Sequence, residues 1–81
     1  MIKILFFAQI RELVGINALV MSDDFADVAT LHKALVKKGD RWALALSSGK
    51  LLTAVNQTLV PMSHSLKMGD EVAFFPPVTG G

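Results

Sequence analysis

The chain has 81 residues, no cysteine, a net charge of +1 and a hydrophobic fraction of 52%. A single domain of this size buries only about 60–65% of its unfolded surface, so this apolar content predicts hydrophobic side chains left over for an interface. The charge balance, with no basic patch or stripe, argues against nucleic acid or an anionic membrane as the main partner; the missing cysteines exclude disulfides, thiolate metal sites and a cysteine nucleophile.

Residues 2–8 read as a first strand, with Ile2, Ile4 and Phe6 on one face and Lys3, Leu5 and Phe7 on the other. The apolar stretch before Gln9 is short for a secretory signal, and no run approaches the ~18 residues of a membrane span. A cytoplasmic protein is therefore expected. Arg11–Val14 reads as a helical turn stopped by Gly15, and Ala18–Met21 as a strand returning in a hairpin.

Val28, Leu31 and Leu35 recur at i, i+3 and i+7 and predict a helix over 28–38, with Asp27 as its N-cap. Lys37 and Lys38 suit the last turn, and Gly39 a left-handed C′ position. Asp40 is expected to cap a short helix to Leu46, anchored by Trp42. Leu51–Val55 reads as a strand, Asn56-Gln57 as a tight turn and Leu59-Val60 as a short strand ended by Pro61. A loop over 61–70 leads to a last strand, Glu71–Phe75, and Pro76-Pro77 stiffens the exit. The expectation is an α+β fold: a mixed sheet with the terminal strands adjacent and one main helix on one face, comprising residues 1–75, followed by a tail, 76–81.

Strand parity adds a prediction. On the last strand Val72 and Phe74 share one face, and Glu71, Ala73 and Phe75 the other. The faces carrying Lys3 and Glu71 are the wetter ones, so Phe7 and Phe75 are expected to point away from the helix and to form one exposed aromatic patch that docks a partner.

The sequence closes on Gly80-Gly81. At roughly 7% glycine usage, two terminal glycines arise by chance in about one chain in 200. Without Cβ atoms such an end can pass a narrow channel and bring its carboxylate against another protein's active site, which makes that carboxylate a candidate reacting group. No side-chain constellation competes with it. His32, expected on the exposed side of the main helix, and His64 lack ligand-spaced companions. Ser63-His64-Ser65 reads as a polar loop, and Asp23, Asp24 and Asp27 lack calcium-loop spacing. No metal site and no catalytic side chain are expected.

The motifs Phe6-Phe7-Ala8-x-x-Arg11-Glu12, Ala54-Val55-Asn56 and Gly69-Asp70-Glu71-Val72-Ala73-Phe74-Phe75-Pro76-Pro77-Val78-x-Gly80-Gly81 resemble the small subunits of molybdopterin synthase over the whole chain. That resemblance implies the ubiquitin-like β-grasp fold and a sulfur carrier with no bound cofactor. An E1-like adenylyltransferase spends ATP on the terminal carboxylate, sulfur from an unspecified donor converts it to a thiocarboxylate, and the tail delivers it inside the large subunit to cyclic pyranopterin monophosphate. The implied assembly is a heterotetramer. By carry-over Gly81 bears the sulfur and Gly80 provides clearance. Phe7, Arg11, Leu59 and Phe75, with the tail residues Pro76, Pro77, Val78 and Thr79, are the expected partner contacts. Three other readings share much of this pattern: a carrier for thiamine thiazole synthesis, a ubiquitin-like modifier and a plain β-grasp binding module. The thiazole carriers are usually shorter and lack the Phe-Phe start and Pro-Pro-Val tail.

Overall fold

Alternation decides the two terminal strands. In β1 (Ile2–Phe6) the side chains of Ile2, Ile4 and Phe6 are buried, and in β5 (Glu71–Phe75) those of Val72 and Phe74. A strand with one dry face requires this period of two. The computed structural model describes residues 1–22, 24–47 and 51–76. It contains α1 (Ala8–Val14), β2 (Ala18–Met21), α2 (Val28–Val36), α3 (Asp40–Leu46), β3 (Leu52–Val55) and β4 (Thr58–Leu59) between the terminal strands. The sheet order is β2-β1-β5-β3-β4. β1 and β5 run parallel at its centre, and every other pair is antiparallel. The expected mixed α+β architecture, with adjacent terminal strands, is the one observed.

The three helices lie on one side of the sheet, because their apolar faces have only the inward strand residues to cover. Ile10, Val28, Leu31, Leu35, Ala45 and Leu46 join Ile2, Ile4, Phe6, Val72 and Phe74 in one buried cluster. Phe6 stacks on Phe74 at 6.5 Å between ring centroids, and Trp42 of α3 meets Phe6 edge-on at 5.3 Å. Asp27 caps α2: its carboxylate accepts from the Thr30 backbone N–H at 2.9 Å and from the Thr30 hydroxyl at 2.7 Å. These bonds hold its carboxyl below the usual carboxylate range.

Several expected boundaries move. The first strand stops at Phe6; Phe7 is the N-cap of α1, and Ala8 turns the chain with φ of 52°. The helix there is therefore a full α1 rather than one turn from Arg11. α2 ends at Val36 with Lys37 in right-handed conformation, so Gly39 is not a left-handed C′ residue. It is extended and N-caps α3, and Asp40 is the first helical residue instead of the cap. The short strand is Thr58–Leu59, one residue earlier than expected. His32 is not on an exposed side. It is partly buried, with its ring 6.2 Å from that of Phe74, and its Nε2 lies 2.6 Å from the Leu46 carbonyl. A carbonyl only accepts, so Nε2 carries the proton and the bond ties α2 to the end of α3.

Candidate functional site: the outer sheet face and the root of the tail

With all three helices on one side, the other face of the sheet is left to its own side chains. The register lines up Ala18, Leu5, Ala73, Ala54 and Leu59, one from each of the five strands, in a single row across it. Ala73 and Ala54 keep the middle of the row low, Ala18 ends it on β2, and Leu59 stands at the other edge, 64% exposed. On one side of the row Lys3 pairs with Glu71, so charge borders it there. On the other side Leu52 pairs with Phe75.

Phe7 completes that second side from beyond the end of β1. Its ring lies 6.4 Å from that of Phe75 at an interplanar angle of 83°, an edge-to-face pair. Phe7 is 45% exposed and Phe75 half-buried. The two outward rings do meet, although Phe7 reaches the position as a helix cap and not by strand parity. Edge-to-face contact keeps both rings in place without fully burying either, which leaves an apolar surface of fixed shape on this side of the sheet. Val20, 55% exposed, lies beside Lys3 and extends the face towards β2.

The remaining expected contacts fall around this patch. Leu59 is on the outer face, opposite Ala54, a facing that a short strand could not disclose from sequence. Arg11 is exposed on α1; its carbonyl accepts from the Gly15 N–H, which closes the helix at 2.9 Å. It borders a shallow depression with Gly15, Ile16 and Asn17 and is not part of the apolar row. Pro76 is half-buried directly after β5. Pro77, Val78, Thr79, Gly80 and Gly81 lie outside the described residues. Leu5, Ala73, Ala54 and Val20 were missed as members of the face. Parity gave the facing of Leu5 and Ala73, but their alignment into one row depends on the register between strands, which only pairing fixes.

The opposite end of β5 is held by polar groups. Asn56 Oδ1 accepts from the Glu71 N–H at 3.1 Å, and Asn56 Nδ2 donates to Asp70 at 3.0 Å. Asp70 also accepts from the Lys67 N–H at 2.8 Å. The Lys67 bond first, then that from Asn56, lowers the Asp70 carboxyl below its ordinary range. Gly69, at φ of 88°, donates its N–H to the Met1 carbonyl at 2.8 Å. The Gly-Asp-Glu part of the terminal motif is therefore a clamp on the start of β5, not a reactive site. Among the described residues no group of three or more His, Asp or Glu side chains is placed to hold a metal, and no helix is long and apolar enough to cross a membrane.

A mixed sheet of this order with its helices on one face is the ubiquitin-like β-grasp fold, and solved structures agree. One is the small archaeal modifier protein SAMP1 of Haloferax volcanii, with a TM-score of 0.75 and 27% identity over 99% of this chain and 98% of that one. Another is the complex of subunits 1 and 2 of the molybdopterin-converting factor of Helicobacter pylori, with a TM-score of 0.68 and 27% identity over 99% and 97% of the two chains. Residues 4–81 match the ThiS family. Two molybdopterin synthase sulfur carrier subunits align over all of this chain and all of their own length: that of Escherichia coli at 63% identity and that of Haemophilus influenzae at 58%. The chain belongs to the ThiS family and, within it, to the molybdopterin synthase sulfur carrier subunits.

Proposed function

We propose that this chain carries sulfur on the carboxylate of Gly81. An E1-like adenylyltransferase joins that carboxylate to the α-phosphate of ATP, and pyrophosphate leaves. A sulfur nucleophile then attacks the acyl carbon, AMP departs, and a thiocarboxylate remains. Adenylation is needed because a carboxylate is a poor electrophile. The thiocarboxylate is a soft nucleophile that requires no cysteine, in keeping with a chain that has none. In the large subunit of molybdopterin synthase it gives its sulfur to cyclic pyranopterin monophosphate, and hydrolysis returns Gly81 to a carboxylate. This chain supplies no catalytic side chain, and the heterotetramer works in the cytoplasm. The domain is residues 1–75, and 76–81 is the delivery arm.

The observation that carries this reading is the pairing of the outer apolar face with the root of the tail. Phe7 and Phe75 meet at the point where β5 ends. A partner seated there holds the chain while six residues, Pro76–Gly81, span at most ~20 Å into its active site. The H. pylori structure, a complex of two subunits, supports a large-subunit partner. The test is the intact mass of the chain after incubation with the activating enzyme, ATP and a sulfur source. The expected result is exchange of one oxygen for sulfur, abolished by adding a residue after Gly81. A mass that stays that of the carboxylate under every sulfur-supplying condition sinks the proposal. Ladders of conjugates on lysines would instead favour a protein modifier.

A further inference from the structure

A second apolar surface lies away from the sheet face. α1 and α3 leave a hollow of ≈ 180 Å³ between them, walled by Ile10, Leu13, Leu44, Ala45, Leu51 and Pro76. It opens past Gln9, Leu13 and Leu44 into a trough edged by Glu12. Leu44, at the mouth, is 66% exposed although it is a leucine on a packed helix. Pro76 is the last described residue, so the chain leaves β5 at the rim of this hollow.

We propose that the hollow is a binding site for the chain's own segment Pro77–Thr79, filled by the Val78 side chain while no partner is bound. Position is the first argument. The proline rings at 76 and 77 set φ near −65° and favour an extended path of about 3.1 Å per residue. Two such steps put Val78 no more than about 6–7 Å from Pro76, which itself lines the hollow with Leu13 and Leu44. Composition is the second. After Pro77 the chain offers Val78, Thr79, Gly80 and Gly81, and Val78 is the one large apolar side chain among them. Size is the third. A cavity of about 150 Å³ holds a benzene ring, so this one takes a valine side chain. One buried valine set against the ordering of three residues, one of them a proline already restricted, makes a shallow and reversible equilibrium. An arm that must be released to a partner needs such an equilibrium. The site belongs to the free chain and does not depend on whether Gly81 carries sulfur.

The test is NMR on the full isolated chain, comparing wild type with Leu44→Ser and with Leu44→Met, which keeps the site apolar. Leu44 is exposed, so neither change threatens the fold. In the wild type the expected result is contact between the Val78 methyls and those of Leu13 or Leu44. Leu44→Ser should move the Val78 and Thr79 resonances towards random-coil positions, and Leu44→Met should leave them near the wild-type ones. Val78→Ser should shift the Leu13 and Leu44 methyls and leave Leu59 on the outer face unchanged. Val78 and Thr79 resonances indifferent to Leu44→Ser would overturn the proposal. So would resonances that respond to Phe7→Ser instead, which would put the segment on the aromatic patch.

Discussion

Thr53 is the one polar side chain fully buried among the described residues, and its hydroxyl has no hydrogen-bond partner. A buried hydroxyl left unpaired costs about 1–3 kcal/mol, and an apolar group of the same shape removes that cost. Thr53→Val is therefore expected to raise stability by about 1 kcal/mol, seen as a higher urea midpoint with an unchanged slope. A lower midpoint would mean that the hydroxyl has a partner after all. Asp70 works in the opposite sense, since its carboxylate is fully used. Its folded pKa is depressed by the Lys67 and Asn56 bonds, so its contribution is fully present above the unfolded value, near 3.8. It is lost as pH falls through the folded value. Thermal melts of wild type and Asp70→Asn should thus differ at about pH 7 and converge towards about pH 2. A gap that persists in acid would show that the charge is not what Asn56 and Lys67 hold.

Turns show what the sequence makes legible in the elements. Asn56 and Gln57 both have positive φ, 51° and 71°, as a two-residue hairpin turn between right-twisted strands demands. Asparagine tolerates that region and glutamine adopts it at a cost that glycine avoids, so Gln57→Gly is expected to add about 0.5–1 kcal/mol with the sheet unchanged. An unaltered or lower melting temperature would contradict it. This turn was readable because its chemistry is local. The end of β1 was not. Phe6-Phe7-Ala8 is apolar throughout, and the chain turns at an alanine held at φ of 52°, with no glycine or proline to mark the place. Helix capping was half readable. Asp27 before a periodic run is a local signal, and it caps α2 as expected. Gly39 stands between two helices and suits either the end of one or the start of the next. Packing of Trp42 on Phe6 accompanies its use as the start of α3.

Across the molecule, the outward facing of Phe75 was legible, because parity along one strand is enough to find it; Phe7 meets it as the cap of α1, a position that parity does not give. The row Ala18–Leu5–Ala73–Ala54–Leu59 was not, because it exists only once five strands have been placed in order and register. Its prediction belongs at this scale. Leu59→Asp and Phe75→Ala should each weaken binding to the large subunit by about 2 kcal/mol, roughly thirtyfold in Kd by calorimetric titration. Leu59→Asp should leave the melting temperature near that of wild type, since that side chain is largely in water already. Binding indifferent to both would remove the outer face from the interface. The parallel pairing of β1 with β5 has a mechanical meaning as well. β5 is flanked on both sides, by β1 and β3, and its far end is the root of the tail. On the proposed function, a force drawing the C-terminus back from a partner would act along β5 and load both rows of backbone hydrogen bonds in shear, all at once. A strand at the sheet's edge pulled sideways would yield one bond at a time, whereas β5, paired on both sides, would have to break two rows together.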